Sequence, residues 1–280
     1  MPKDAAPEIM PDLKVGTLFS ASGKVAVVTG GGSGLGKMYI ASRKLEELQN
    51  VAKQLNDTAP SAPFQPGTFC IPVQADLSSK AGCDALADRI KEKEQQIDIL
   101  INNSGLTWGG KMDDFPEEKG WDKVFHLNVK SQFYLTVALL PLLEKGKSNT
   151  NHASVINVAS VAAYSPAASG PLSEPGNGTY SYQPSKAASV HLTRMLAHEL
   201  SDKYVLVNAL CPGVFPSRMT AWSLGQGREL FEGVQPTGRI GTPEDIGGVV
   251  LFLTSRAASH ITGAAIPIDG GQMLQFVPRL

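Results

Sequence analysis

The short spacing between a glycine-rich stretch and a following arginine constrains this fold more than any other feature of the sequence. The stretch "TGGGSGLG" begins at Thr29, directly after a short β-branched run, and its last residue, Gly36, is only seven positions from Arg43. Two neighbouring parallel strands normally need a crossover of about 10–12 residues including a helix. From Gly30 to Met38 only nine residues are available. We therefore expect that the usual strand–helix–strand unit cannot close here.

The residues after the glycine-rich stretch offer a different structure. Apolar side chains recur at three- and four-residue intervals from Leu35 to Leu55, so residues 34–56 can form one continuous amphipathic helix. The second strand is then lost or distorted, and the strand at residues 69–73 moves in beside the first. The alternative is a cramped, irregular strand at residues 39–42. Under either interpretation we expect Arg43 to be displaced.

Strand-like and helix-like segments alternate along the rest of the chain. Apolar runs lie at residues 24–28, 69–73, 97–101, 154–158, 205–210 and 265–268, and helical patterns at 80–94, 121–143, 182–200 and 243–254. This alternation predicts an α/β fold, a doubly wound parallel sheet of the Rossmann type. We expect one domain over residues 23–280, a flexible arm over residues 1–22 and a mobile lid at about residues 217–235.

The composition favours small-molecule chemistry over other functions. The chain has 25 basic and 26 acidic side chains, so neither nucleic acid nor a membrane is expected as a partner. Cys70, Cys83 and Cys211 match no zinc or disulfide spacing, so we predict no metal site and a reducing compartment, the cytoplasm. Pro278-Arg279-Leu280 faintly resembles a peroxisomal address, which is the weaker alternative.

Several polar motifs follow predicted strands or share a helix face. The glycine-rich stretch supplies backbone that can approach a pyrophosphate at a helix N-terminus, at Gly30, Ser33, Gly34, Leu35 and Gly36. Asn102 to Gly105 and Ser160 follow later strands, and Asn128 lies in a helix. Tyr182 and Lys186 are four residues apart, about one helical turn, so their side chains share a face. Together these motifs predict one dinucleotide-dependent site.

In this order the motifs resemble the short-chain dehydrogenase/reductase family, over about residues 23–271. Asp76-Leu77, Pro212-Gly213 and Asp269-Gly270-Gly271 extend the resemblance, and segments such as "LNVKSQFYLTVALLPLL" and "PSKAASVHLTRMLAHEL" are similar to the rhamnolipid-type 3-oxoacyl-carrier-protein reductases. Against the family pattern, about 12 residues are missing after Met38, which would form a helix and the start of the second strand.

The resemblance implies a role for each motif residue. Tyr182 acts as the general acid, Ser160 hydrogen-bonds to the substrate oxygen, Lys186 favours the phenolate and holds the nicotinamide ribose, and Asn128 anchors a water. The expected cofactor-binding residues also include Asp76, Leu77, Asn102, Gly105, Pro212 and Gly213. Since Ser42 and Arg43 end the second strand without a carboxylate, we predict NADPH over NADH, with Arg43 as the main phosphate contact.

These observations together predict an NADPH-dependent carbonyl reductase. The long loop at residues 163–179 and the lid are rich in apolar and aromatic residues, which suggests a hydrophobic ketone such as a 3-oxoacyl or polyketide-like substrate. Two alternatives stay open: an NAD-dependent secondary-alcohol dehydrogenase, and a chain whose shortened segment impairs cofactor binding. The resemblance also implies homodimers or homotetramers through the helices at Trp121 and Tyr182.

Overall fold

Seven parallel strands form one sheet in the computed structural model, which describes residues 12–30, 37–58, 70–170 and 173–276. The strands are β1 (Val25–Thr29), β2 (Lys37–Ser42), β3 (Cys70–Gln74), β4 (Ile99–Asn102), β5 (Ala153–Val158), β6 (Val205–Pro212) and β7 (Ala265–Ile268). Their spatial order is β3-β2-β1-β4-β5-β6-β7. The predicted doubly wound parallel sheet is confirmed. The strand order reverses between β1 and β4, which is where open α/β sheets bind ligands.

Helices cover both faces of the sheet. They are α1 (Val15–Leu18), α2 (Leu45–Thr58), α3 (Lys80–Lys91), α4 (Lys123–Phe125), α5 (Ser131–Leu143), α6 (Tyr182–Glu199), α7 (Ala221–Gly233) and α8 (Pro243–Thr254). Two π-helical segments, Glu117–Asp122 and His126–Lys130, flank α4, so the chain is helical from residue 117 to residue 143. None of the helices in the described part of the chain is both long and apolar enough to cross a lipid bilayer.

Alternate residues of each central strand enter two different hydrophobic cores. Val27 and Leu100 face the core formed with α3, α5 and α6, whereas Ala26 and Ile99 face the core formed with α2 and α8. Because both faces of the sheet are covered, central strands need apolar side chains at successive positions. This requirement explains the short apolar runs in the sequence.

The predicted loss of the second strand is wrong. β2 pairs in parallel with β1 on one side and with β3 on the other. Tyr39 and Ala41 belong to one core and Met38 and Ile40 to the other, and all four are 0% exposed. A strand buried on both faces places every one of these side chains in a core, whereas an amphipathic helix would have turned part of them towards solvent. The helix begins only at Leu45.

The chain between β1 and β2 is too short for a crossover helix but long enough to connect two parallel strands. Seven residues can span up to ~23 Å, whereas a five-residue strand is about 17 Å long. Met38 and Tyr39 are neighbours in an unbroken strand. The residues that are missing relative to the family pattern are therefore missing before Lys37 rather than after Met38. Residues 31–36, including the predicted phosphate contacts Ser33, Gly34, Leu35 and Gly36, lie outside the described residues.

The described parts of the predicted arm and lid contain helices. Residues 12–22 include α1, and the ring of Phe19 lies 6.3 Å from that of Phe252 on α8. The lid segment contains α7, whose helical backbone is interrupted at Gly227. The mobility expected for both segments stays a prediction.

Candidate active site

The hydroxyl groups of Ser160 and Tyr182 meet beyond the carboxyl end of β5. Ser160 begins a 3₁₀ turn, Val161–Tyr164, and its Oγ accepts a hydrogen bond from the Ala162 backbone N–H at 3.1 Å. The same Oγ donates to the carbonyl of Pro212 at the end of β6, at 3.3 Å. Tyr182 is the first residue of α6, and its phenol lies close enough to the Ser160 side chain for that hydroxyl to lower the pKa of the phenol. The structure therefore brings together two predicted residues that are 22 positions apart.

Lys186 lies one turn after Tyr182 on the same face of α6. Its Nζ is 5.5 Å from the centroid of the Tyr182 ring and donates to the Val158 carbonyl at 2.9 Å. Burial lowers the pKa of Lys186 to about 8. Burial also raises the pKa of Tyr182 above its ordinary value, and the Ser160 side chain acts in the opposite direction. At neutral pH the phenol is therefore protonated beside a lysine that is close to its titration range.

Asn128 links the loop after β4 to α6. It is fully buried in the π-helical segment His126–Lys130. Its Oδ1 accepts from the Leu106 N–H and its Nδ2 donates to the Leu106 carbonyl, both at 2.9 Å. Nδ2 also donates to Ser185 Oγ at 3.0 Å. The side-chain amide thus fixes the β4 loop against the start of α6, a role that the sequence did not predict.

A cleft of about 520 Å³ lies at the carboxyl ends of β1 to β4. Its lining includes the predicted cofactor-binding residues Gly30, Ser42, Arg43, Asp76, Leu77 and Gly105. Gly105 connects the cleft to the hydroxyl pair, because a Cβ there would lie 3.3 Å from Asn128 Oδ1 and 3.5 Å from Lys186 Nζ. The predicted cofactor and catalytic residues therefore form one continuous region.

The ends of β1 and β4 are tied together at the floor of this cleft. The hydroxyl of Thr29 accepts hydrogen bonds from the backbone N–H groups of Asn103 and Ser104, each at 3.0 Å. Gly30 has a φ of 74°, and a Cβ there would lie 3.1 Å from both Asn103 Nδ2 and Ser104 Cα. Both its backbone conformation and the closeness of the β4 loop therefore favour glycine at this position.

The side chain of Asn102 does not enter the cleft. It is 3% exposed and donates to Thr136 Oγ1 at 3.1 Å and to Asn157 Oδ1 at 2.9 Å, inside the layer of α5 and β5. Its neighbour Asn103 lines the cleft instead. Successive side chains of a strand point to opposite faces, and this alternation is the signal that could have separated the two asparagines.

Pro212 and Gly213 lie on the far side of the hydroxyl pair from the cleft residues of β1 to β4. Pro212 is the last residue of β6 and supplies the carbonyl that Ser160 contacts. The N–H of Gly213 donates to the Ile268 carbonyl of β7 at 2.9 Å. A Cβ at Gly213 would lie 2.9 Å from Asp269, so glycine allows the close approach of the two strand ends.

Four cationic side chains line the cleft: Arg43, Lys44, Lys123 and Arg218. The predicted displacement of Arg43 does not occur, because Arg43 directly follows β2 and lies at the cleft with Asp76. Lys44, Lys123 and Arg218 were not predicted. Arg218 comes from the segment after β6, and no local motif connects it with residues near position 43.

The residues present fit a dinucleotide. Glycine at position 30 keeps the end of β1 open where a side chain would meet the β4 loop, and glycine at position 105 does the same beside Lys186. The cationic side chains at the β2 end suit an anionic group, and the hydroxyl pair with Lys186 suits proton transfer. These residues would hold the phosphates and the nicotinamide ribose of NAD(P), which supplies or accepts the hydride.

The known proteins that this chain resembles are described as reductases and dehydrogenases. A family described as enoyl-(acyl carrier protein) reductase matches residues 37–273. The rhamnolipids biosynthesis 3-oxoacyl-[acyl-carrier-protein] reductase of Pseudomonas aeruginosa is 41% identical over 267 residues, covering 90% of this chain and 97% of the relative. An NAD-dependent glycerol dehydrogenase of Listeria innocua is 32% identical over 270 residues, covering 92% and 96% of the two chains.

A solved structure has the same fold. The RhlG/NADP active-site complex of Pseudomonas aeruginosa superimposes with a TM-score of 0.81 at 38% identity, and the match covers 91% of this chain and 98% of the other. The family match begins at Lys37, the first residue of β2, so it includes the strand whose loss or distortion the residue pattern predicted. With this coverage and this site, the chain belongs to the short-chain dehydrogenase/reductase family of NAD(P)-dependent oxidoreductases.

Proposed function

We propose that this protein is an NADPH-dependent carbonyl reductase that acts on a hydrophobic ketone, of the 3-oxoacyl or polyketide-like class. The observation that carries the proposal is the pair of hydroxyl groups of Ser160 and Tyr182 beside Lys186, next to a cleft that has cationic side chains in its lining and that Gly105 connects to Lys186. No carboxylate stands among residues 41–44 at the end of β2, where NAD-binding proteins place one. The Pseudomonas relatives, one named as a 3-oxoacyl reductase and one solved with NADP, support the same choice.

In this proposal the chain's own groups handle the proton. Tyr182 would give its phenolic proton to the carbonyl oxygen of the ketone, and the chemistry supplied by bound NADPH would be the hydride. Ser160 turns its hydroxyl from the Pro212 carbonyl to the same oxygen and stabilises the charge that develops there. The Lys186 ammonium stabilises the phenolate that remains, and Asn128 holds the β4 loop against α6. We also propose that Asn128 anchors a water that connects Lys186 to solvent. A proton from solvent would return to the phenolate by this route.

The substrate class rests on exposed apolar side chains in the two segments that the sequence predicts to border the substrate. Tyr164 ends the 3₁₀ turn that Ser160 begins and is 44% exposed. Met219 and Trp222, in the lid segment, are also exposed apolar side chains. A hydrophobic rim of this kind favours an acyl chain over a sugar. The oligomeric state and the compartment stay predictions. Trp121 in the π-helical segment before α4, Val137 on α5 and Met195 on α6 are exposed, as the predicted dimer contact requires.

Cofactor titration tests the proposed function. We expect isothermal titration calorimetry to show NADPH binding at least tenfold more tightly than NADH, since a phosphate that pairs with arginine adds a charge-assisted contact. A panel of 3-oxoacyl thioester and small ketone substrates should then support NADPH oxidation. Tighter binding of NADH with turnover of secondary alcohols would instead favour the alternative that the Listeria relative suggests. Absence of heat with both cofactors would show that the shortened β1–β2 connection prevents binding.

The pH dependence of reduction should follow Lys186. Below pH 8 Lys186 is charged and Tyr182 is protonated, so kcat/KM for ketone reduction should be at its maximum. Above that pH the lysine loses its charge, and the rate should fall about fivefold from pH 8 to pH 9. The Lys186→Arg variant, whose guanidinium stays charged, should show a flat profile through this range even if its rate is lower. A wild-type rate that is constant up to pH 9 would contradict the assignment.

A further inference from the structure

Three cations and one carboxylate meet at the mouth of the cleft. Arg43 and Lys44 follow β2, and Glu47 lies in the first turn of α2. Lys44 Nζ contacts Glu47 Oε1 at 2.5 Å, and Arg218 Nη1 binds Glu47 Oε2 from a point 171 residues further along the chain. Arg43 makes no ion pair within the described residues. Three positive charges against one negative charge leave this cluster with a net charge of +2.

Arg218 is held by an ordered turn rather than by its ion pair alone. Thr220 Oγ1 donates to the Phe215 carbonyl at 2.6 Å and accepts from the Ser217 N–H at 2.9 Å. This turn lies at the start of the lid segment, immediately before α7. The Arg218 side chain itself is 76% exposed. Because an exposed ion pair contributes little net stability, the guanidinium can exchange Glu47 for a better partner at low cost.

We propose that Arg218 is a second ligand for the 2′-phosphate of NADPH, with Arg43, and that Glu47 occupies the Arg218 guanidinium until the phosphate displaces it. The inference rests on the proposed function. A 2′-phosphate carries about −1.5 to −2 charges, which matches the cluster, and a guanidinium binds phosphate oxygens in a bidentate manner. NADH has no such group, so the Arg218–Glu47 pair stays intact when NADH binds. Arg218 therefore determines cofactor specificity and brings the start of the lid onto the phosphorylated cofactor.

The effects of two substitutions separate this proposal from a purely structural tether. If the ion pair only fastens the lid segment to α2, then removing either partner has the same effect on every ligand. If Arg218 binds phosphate, Arg218→Gln removes a ligand whereas Glu47→Gln removes a competitor. The two substitutions then change phosphate binding in opposite directions.

Calorimetry on the full chain tests the proposal with four probes: NADPH, NADH, adenosine 2′-monophosphate and adenosine 5′-monophosphate. We expect Arg218→Gln to weaken both 2′-phosphorylated probes about tenfold, as loss of a charged hydrogen bond predicts. Glu47→Gln should tighten the same two probes about threefold. NADH and adenosine 5′-monophosphate should change by less than about twofold. Arg218→Lys should retain part of the affinity, because it keeps the charge but loses the bidentate geometry.

Matched variants control for general effects of charge and folding. Arg228 forms an ion pair with Glu232 within α7, and Glu46 is the exposed neighbour of Glu47, so Arg228→Gln and Glu46→Gln should leave all four affinities unchanged. Thermal unfolding of each variant shows whether it is folded. Shifts in the same direction for Arg218→Gln and Glu47→Gln, or equal shifts for NADPH and NADH, would overturn the inference. A wild type that prefers NADPH, with an Arg218→Gln variant that binds it equally well, overturns this inference alone, whereas a wild type without that preference overturns the proposed function as well.

Discussion

Replacing Tyr182 with phenylalanine should reduce ketone reduction about 10³-fold, because loss of a general acid typically costs 10²–10⁴-fold. The phenol lies near the Ser160 side chain, and Lys186 lies over the ring, so the hydroxyl is the group positioned to meet a carbonyl oxygen. The aromatic ring is kept in the variant, so the packing at the start of α6 should be retained. NADPH oxidation in the presence of ketone gives kcat, and calorimetry should show cofactor binding close to that of the wild type.

Tyr180 provides the control for this substitution. It lies two residues before Tyr182, and its ring packs edge-on against Phe115 with centroids 5.3 Å apart. Tyr180→Phe removes a hydroxyl from the same segment but none from the proposed chemistry, so activity should stay within about twofold of the wild type. A Tyr182→Phe enzyme that keeps more than about a tenth of its activity would remove the phenol from the mechanism.

The largest loss of stability should come from removing the buried charge of Asp98, which lies at the amino ends of the strands. Asp98 precedes β4 at its amino end, accepts from the Val25 N–H at 2.9 Å and pairs with the fully buried Lys147. Asp98→Ala leaves the Lys147 ammonium buried without a counterion, which should lower the free energy of unfolding by about 3–5 kcal/mol. For a domain of this size, that loss corresponds to a fall in Tm of roughly 5–9 °C.

Two comparisons make this second prediction specific. Asp202→Ala, at an exposed position, should change stability by less than about 0.5 kcal/mol. The double variant Asp98→Leu with Lys147→Met replaces both charges by apolar groups and should be more stable than Asp98→Ala alone. Because Asp98 lies away from the carboxyl ends of the strands, the folded Asp98→Ala protein should keep its specific activity at low temperature. A loss below about 1 kcal/mol in chemical denaturation would contradict the burial argument.

The order of strands and helices could be predicted from the sequence because each apolar run marks a strand buried on both faces. The helices at residues 182–200 and 243–254 were predicted within one residue of their observed bounds, Tyr182–Glu199 and Pro243–Thr254. The juxtaposition of Ser160, Tyr182 and Lys186 also follows from local rules. A residue after a strand and the first turn of the next helix meet at the same edge of a parallel sheet.

Residues 37–42 show where the local pattern fails. Met38 and Tyr39 fit the helical spacing that continues into α2, and together with Ile40 and Ala41 they also form a short apolar run. Periodicity alone does not separate a buried strand from a buried helix over so few residues. The neighbouring strands determine that these residues form a strand. β1 and β3 supply hydrogen-bond partners on both sides, and the two cores bury the side chains on both faces.

The sequence by itself determined the alternation of elements, the placement of Tyr182 and Lys186 on one helix face and the absence of a carboxylate at the end of β2, since each depends on neighbours along the chain. Only the tertiary structure decided that β2 survives and that Arg218 joins Glu47 across 171 residues. Those two features depend on which surfaces meet when the sheet is covered. Contacts between distant segments are stabilised by burial and charge pairing that no local spacing encodes.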